Sequence, residues 1–433
     1  MRPPGERTTV SKPAARATAV ARAMPGDRRS RRVNATVGPP ATWTCTSSDH
    51  VLLAARSRTA GRARSAAADR LSWSGPVTSS GASSRGTRPV CPACSAWGRL
   101  APMTVLTIGR APGIELQLLD LGATVHRLLV TGGDGVRRNI VLGHPTPEEY
   151  LASTAYLGGT IGRYANRIAA GRFELDGDPV TVGTHDRGNH LHGGPDGFDR
   201  RTWTIARHDE MLVEMTLTSP AGDQGFPGEV RASVTFTVRD DAVDVVMTAT
   251  TSAPTVVNMT NHAYFNLAGE GSGVVDDHEL TVAAQEYTPV DDTGIPLGAH
   301  APVDGTPFDL RSPARLGAVV RASHPQIEAA AGIDHNFVLG GEGMRSVAQL
   351  ECAATATRLD LATDQPGLQV YTANSLDGRH RSTSGVLLRQ GDGVALEPQL
   401  FPDSPNHPEW PSAVLRPGQT YRSHLRWTVS PTR

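Results

Sequence analysis

Lysine is almost missing from this 433-residue chain: of its 42 basic residues, Lys12 is the single lysine. That bias is expected of a GC-rich coding sequence and carries no structural demand of its own. Cysteine is nearly as scarce. Cys45, Cys91 and Cys94 fall before residue 103, and only Cys352 lies beyond it. A lone cysteine builds no internal disulfide framework, so a reducing, cytoplasmic setting is expected. Cys91 and Cys94 have C-x-x-C spacing, yet they lack a partner pair and a surrounding βαβ pattern, and read as chance. No apolar run approaches the roughly 18 residues that a membrane-spanning helix needs, and no secretory h-region is present. The strings "GGDG" and "GGEG" lack the lysine or the spacing of phosphate-cradling loops. There is no serine nucleophile elbow either. These absences argue against a membrane protein, a nucleotide-phosphate enzyme and a serine hydrolase.

The formal net charge of −1 conceals an asymmetry. Residues 1–102 carry 17 basic and 4 acidic side chains, which leaves 25 basic and 39 acidic for the remainder. The basic segment is rich in Ala, Arg, Ser, Thr, Pro and Gly ("RRSRRVNATVGPP", "SSGASSRGTRP") without apolar periodicity. Such a composition buries too little apolar surface to offset chain entropy, so disorder is expected over 1–102. It has no interleaved aromatics and no nucleic-acid motif, so no nucleic-acid partner is expected. Its Arg-rich, acid-poor character only loosely suits a transit peptide. Met103, where ordered patterning begins, makes a misassigned start the simpler expectation.

From residue 103 to 433 strand signals dominate. Val230, Ala232, Val234, Phe236 and Val238 alternate with polar neighbours, and Asp240–Asp241 marks a turn. Val243, Val245, Met247 and Ala249 then keep the period, as Met211, Val213, Met215 and Leu217 do upstream. This predicts an antiparallel meander with one wet face. "YRSHLRWTVS" reads as a further strand, and "PARLGAVVRA" as the one short helix worth naming. Gly and Pro clusters mark long loops ("DQGFPGE", "DDTGIPLG", "FPDSPNHPEWP"). The fold expected is all-β: one large antiparallel β-sandwich domain.

Four stretches gather polar groups that a bare scaffold would not need. In "GRYANRIAAGRF", Asn166 and Arg167 sit between small residues; the arginine is either a surface turn residue or a guanidinium fork for an oxygen-rich ligand. In "GNHLHGG", His190 and His192 stand two apart, pointing the same way if the chain is extended. In "NMTNHAYFNLAG", His262 and Tyr264 repeat that spacing, flanked by Asn261 and Asn266. In "GVALEPQLFPDSPN", Glu397 follows an apolar run and would emerge at a strand end; partial burial there would raise its pKa and make it a usable base. Unaided, these residues imply a sugar or polyol enzyme on a β-sandwich.

The residues also carry a resemblance. "GRYANRIAAGRFELDG", "NHLHGGPDGFDRRTW", "NHAYFNL", "YTPVDDTGIPLG", "GTPFDL", "GIDHNF", "QPGLQVYTAN" and "LEPQLFPDSPN" resemble blocks of the aldose 1-epimerase (galactose mutarotase) family, in that family's order over essentially all of 103–433. The resemblance implies a large antiparallel β-sandwich with a sugar cleft on one sheet. It implies interconversion of the α and β anomers of free aldohexoses, without metal or organic cofactor. The partner it implies is a small-molecule aldose. Matched block by block, the base falls on Glu397 and the acid on His262. Sugar contacts fall on Asn166, Arg167, His192, Asp334 and Gln369, with Tyr264 beside the acid. Pro398 and Glu229 depart from residues frequent in the family, and neither is a matched catalytic position.

Anomerisation accounts for these residue types. A proton leaves the anomeric hydroxyl while another reaches the ring oxygen; the opened chain rotates and recloses on the other carbonyl face. A carboxylate serves as base, and a histidine, with an ordinary pKa of about 6.5, as acid. A glycoside hydrolase would need two carboxylates, with Asp334 and Glu397 the conceivable pair, and would leave His262 idle. A non-catalytic sugar-binding module would need neither acid nor base. In "GNHLHGG" two histidines alone rarely hold a metal. His192 falls on the family's histidine there, while His190 is expected to be a bystander on a loop.

Overall fold

The computed structural model describes residues 104–432. The segment expected to be disordered, with Met103 and the C-x-x-C pair, lies outside the described residues. Alternating sequence becomes alternating burial in the meander. Val230–Arg239 and Ala242–Thr251 pair antiparallel from Val230↔Thr251 to Arg239↔Ala242, with Asp240 and Asp241 as the turn. Val234, Phe236, Val243 and Val245 are all fully buried. Leu212–Ser219 pairs on one side and the C-terminal Tyr421–Pro431 on the other. Met211 falls outside its strand and is exposed, because it belongs to the turn whose backbone is held by Asp209 Oδ1. This meander sits within a nine-stranded antiparallel sheet that also contains Thr204–His208, Thr357–Thr363, Arg345–Cys352, Glu279–Val282 and Ala314–Arg315.

A six-stranded antiparallel sheet faces it, in the spatial order Tyr264–Phe265, Val394–Gln399, Gly367–Tyr371, Asp334–Leu339, Ala284–Thr288, Ala301–Pro302. Phe236, Leu361, Leu425 and Trp427 of the larger sheet share one apolar core with Phe265, Phe337, Leu368, Val370 and Leu396 of the smaller. Each such side chain contributes roughly 1.5–3 kcal/mol on burial. Leu116, Leu118 and Leu128, from a further four-stranded antiparallel sheet, join the same core. The expected sandwich is therefore present. The helix expected in "PARLGAVVRA" shrinks to the single turn Leu316–Val319, because Ala314 and Arg315 are taken as a sheet edge beside Glu279 and Leu280. Two short helices, Pro147–Ala152 and Pro325–Ala330, were not expected; each starts with a proline behind a capping side chain, Thr146 and His324 respectively.

One buried arginine fixes the loop that joins Leu212–Ser219 to Val230–Arg239 in the larger sheet. Arg163 is about 2 % exposed. Its guanidinium donates to the carbonyls of Ser219, Pro220, Pro227 and Gly228 at 2.9–3.1 Å, and to Ser219 Oγ. Replacing it with leucine strands those carbonyls without donors, at a cost of about 3 kcal/mol or more. Arg163→Leu is thus expected to lower the urea midpoint clearly at unchanged m-value, and an unshifted midpoint would contradict this role.

Candidate active site

Strand parity builds one wall of the site. In Val394–Gln399, Val394 and Leu396 face the shared core, so Glu397 points to the opposite face. The same alternation turns Gln369 and Tyr371 outward while Leu368 and Val370 face inward. The register pairs Gln369 with Glu397, Tyr371 with Ala395 and with Asp334, and Tyr264 with Ala395. Glu397, Gln369, Tyr371, Asp334 and Tyr264 thereby share one face. Glu397 does not emerge at a strand end as expected. All six residues of its strand are buried, and Glu397 sits in the middle of the run at about 2 % exposure.

The opposite wall comes from the loops between residues 154 and 192. Together the walls enclose a cleft of about 590 Å³ that includes Asn166, Arg167, His192, His262, Asp334 and Glu397. That volume lies in the range of small-molecule sites. A second cavity of about 290 Å³ shares Ala331 and Asn374 with it, but its charged groups, Asp276 and Arg321, pair with each other.

His262 Nε2 stands 3.5 Å from Glu397 Oε1. Burial, reinforced by the nearby Asp334 charge, pushes the Glu397 carboxyl well above its ordinary value. Burial lowers His262 to about 4. The two shifts run in opposite directions, so between them the couple holds a single shared proton. The His262 ring stacks on Tyr264 at 4.9 Å between centroids and meets His192 edge-on at 5.3 Å. The Tyr264 hydroxyl donates to Ala155 O at 2.9 Å, so this tyrosine offers the cleft its ring rather than a free hydroxyl.

His190 and His192 part company because the extended chain ends at His192. His192 has φ of +49°, a left-handed conformation that redirects its side chain. The Asn166 amide donates to His192 Nδ1 at 3.1 Å, which fixes the ring proton on Nε2 and makes that nitrogen a donor. His190, expected on a loop, is instead fully buried in the short strand His190–Leu191, its Nδ1 2.8 Å from Gly183 O and its ring edge-on to Phe226.

One ligand atom each from His192, His262 and Glu397 lies within 4.8 Å of the others, which is close enough for a metal ion. The donor chemistry does not fit one. The Asn166 amide occupies the Nδ1 lone pair of His192, and Nε2 carries the proton, so His192 has no free lone pair to offer. Two remaining ligands fall short of the three or four usual for a tight site.

Arg167 is held between two carboxylates. Its Nε donates to Asp186 Oδ2 at 2.8 Å, and Nη1 stands 3.8 Å from Asp334 Oδ2. Gly294, at φ of +83°, lies flat against the guanidinium; a Cβ there would come within 2.9 Å of Cζ. Asn166 Oδ1 accepts the Arg167 amide at 2.9 Å, so the carboxamide shapes the backbone as well as lining the cleft. Gln369 Nε2 donates to Asp334 Oδ1 at 2.7 Å. Buried Glu397 Oε2, Gln369 Oε1 and His262 Nδ1 have no partner among the described residues. Such atoms are costly unless a polar ligand meets them. The cleft therefore brings together all eight residues expected from sequence. It adds Asp186, Tyr156 and Tyr371, which were not singled out. Tyr156 packs edge-on against His192 at 4.6 Å. Tyr371 stood inside the quoted "QVYTAN" block, whereas Asp186 and Tyr156 carried no signal but nearness to polar stretches.

Fold and cleft define an antiparallel β-sandwich protein with a buried histidine–carboxylate couple set among polar side chains. The sequence profile of the aldose 1-epimerase family matches residues 104–428. Over 328 residues the chain is 42 % identical to the aldose 1-epimerase of Escherichia coli K12, covering 74 % of this chain and 94 % of that protein. It is 41 % identical over 322 residues to the galactose mutarotase of Rattus norvegicus, covering 73 % and 91 %. A crystal structure of an aldose epimerase homologue from C. elegans superposes with a TM-score of 0.72 at 30 % identity, over 76 % of this chain and all of the other. A galactose 1-epimerase from Lactobacillus acidophilus gives 0.68 at 28 % identity, over 76 % and 95 %. The chain belongs to the aldose 1-epimerase family.

The different surroundings of the two histidines predict different effects on activity. His190→Ala should cost about 1–3 kcal/mol of stability while the folded fraction keeps the properties of its cleft. His192→Ala should also lower stability, because it strands the buried Asn166 amide, but unlike His190→Ala it should impair ligand turnover per folded molecule. Equal losses of activity per folded molecule would contradict the assignment.

Proposed function

We propose that this protein is an aldose 1-epimerase that interconverts the α and β anomers of free aldohexoses such as galactose and glucose, and that it works in the cytoplasm. In the reactive form the shared proton sits on His262 and Glu397 is ionised; Glu397 takes the proton of the anomeric hydroxyl, and His262 delivers its own to the ring oxygen. The chain end rotates about C1–C2, and the two groups exchange roles as the ring recloses. The observation that carries this reading is the buried contact of 3.5 Å between His262 and Glu397. Acid and base have exchanged protonation states once the open-chain sugar forms, and a couple that owns a single proton supports that exchange in either direction. His192 Nε2–H, Arg167, Asn166, Asp334 and Gln369 hold the sugar hydroxyls while C1 turns.

Hydrolysis of a glycoside is the weaker reading. Both oxygens of Asp334 are engaged, one by Gln369 and the other facing Arg167, so it offers no free proton to a leaving group. Polarimetry of freshly dissolved α-D-glucose or α-D-galactose tests the function directly. Faster approach to equilibrium rotation than in buffer is expected, and no acceleration would retire the reading. Glu397→Gln and His262→Asn should each fold and lose roughly 10²–10⁴ in rate.

The pH profile follows from the couple. Adding a second proton protonates His262 beside a neutral Glu397 and removes the base. Losing the shared proton removes the acid. The rate constant kcat/KM should therefore be level over the pH range in which the couple holds a single proton. It should fall on the acid side as pH approaches about 4, where His262 titrates, and fall again where the raised Glu397 carboxyl ionises. An acid limb centred near the ordinary histidine value would contradict the couple.

A further inference from the structure

The loop that leaves the Glu397 strand returns to the backbone of Arg167. Arg167–Ile168 is a strand of only two residues, paired on one edge with His190–Leu191. So short a ladder is weak by itself. Its other edge is closed by a single residue. The Asp403 amide donates to Arg167 O at 2.8 Å, and Asp403 Oδ1 accepts the Ala169 amide at 2.9 Å. One aspartate thus brackets Ile168 as a neighbouring strand would, through one backbone and one side-chain bond.

That arrangement needs two properties at once. Asp403 has φ of 60° and ψ of 16°, in the left-handed region that Gly, Asn and Asp tolerate best. It also needs a side-chain acceptor, which Gly lacks. The residue is about 3 % exposed and is tied in turn. Asn406 Nδ2 donates to Asp403 Oδ1 at 2.6 Å and to Arg172 O at 2.9 Å. Tyr164 Oη donates to Phe401 O and accepts the Ser404 amide, both at 3.1 Å. His407 Nε2 stands 3.5 Å from Asp403 Oδ2. The loop therefore grips the chain at Tyr164, Arg167, Ala169 and Arg172, starting from the strand that carries the base.

We infer that Asp403 is a positioning residue for Arg167, fixing the backbone on which the guanidinium stands and registering that guanidinium against Glu397. The inference rests on the sugar-binding reading of Arg167. The Asp186 bond orients the guanidinium, but among the described residues only Asp403 holds both the carbonyl of residue 167 and the amide two residues on. A misplacement near 1 Å at such a clamp costs up to about 10² in rate.

Three variants separate backbone from carboxylate. Asp403→Ala and Asp403→Gly should raise KM for galactose about tenfold with kcat within about threefold. Asp403→Asn keeps an Oδ1 acceptor and tolerates the left-handed backbone, and should recover KM to within about threefold of wild type. If the alanine variant does not fold, the glycine variant, which keeps φ without strain, carries the comparison. In an Arg167→Ala background, adding Asp403→Gly should change KM less than twofold, because nothing remains to be positioned. A glycine variant with wild-type KM, or a penalty undiminished in the Arg167→Ala background, would overturn the inference. Failure of the wild-type protein to accelerate mutarotation would instead refute the epimerase reading. The series is then read from galactose titrations of intrinsic fluorescence, and a wild-type protein that neither turns over nor binds galactose overturns both.

Discussion

The site depends on keeping an ionisable carboxyl out of water in the middle of a sheet. Glu397 occupies a strand of six buried residues, and a lone carboxylate there would be costly. The cost is contained by a proton held with His262 at 3.5 Å and by the Arg167 charge across the cleft. Water exclusion depends on the sandwich beneath. Leu396 and Val394 anchor the strand in the shared core, and Tyr264 and Tyr156 cover the histidines from the side. Were the strand to fray, the carboxyl would be solvated, and its proton would return to ordinary carboxylate behaviour.

Around that couple the remaining groups are fixed rather than adaptable. The Asn166 amide sets the tautomer of His192, Asp186 and Asp334 flank Arg167, and Gln369 is bonded to Asp334. Each polar group thus spends one hydrogen-bonding position on the protein. Those left over, such as Gln369 Oε1 and Glu397 Oε2, are buried without a partner among the described residues. Preorganisation of this kind suits a reaction in which most of the ligand must stay still while one end rotates. The same tautomer argument that makes His192 Nε2 a hydrogen-bond donor also disqualifies it as a metal ligand.

Much of this was legible in the sequence, and unevenly so. Period-2 alternation gave the meander from Leu212 to Thr251 almost residue by residue, because side-chain parity and one-sided burial are local properties. Six of the eight expected site residues sit in polar strings that a scaffold has no use for, while Asp334 and Gln369 were signalled only by the family resemblance. The misses have physical causes. His190 and His192 look equivalent at i and i+2, but a positive φ at His192 breaks the parity on which that equivalence rested. Glu397 looked like a strand-end residue because a charged group inside a buried run is rare. Asp186, Tyr156 and Asp403 act across 19, 36 and 234 or more positions from the groups they support, as the bonds of Asp186 and Asp403 to the Arg167 segment and the Tyr156–His192 contact show.

By itself, the sequence determined the class of fold, the kinds of chemical group available and the family, since composition, alternation and contiguous motifs are written along the chain. The tertiary structure decided which of those groups share a proton and which hold the others still. Register across the Asp334, Gln369 and Glu397 strands sets one face of the cleft, and the loop from Glu397 back to Arg167 sets its alignment with the other. Those are distances between residues far apart in the chain, and they exist only once the sheets have paired and packed.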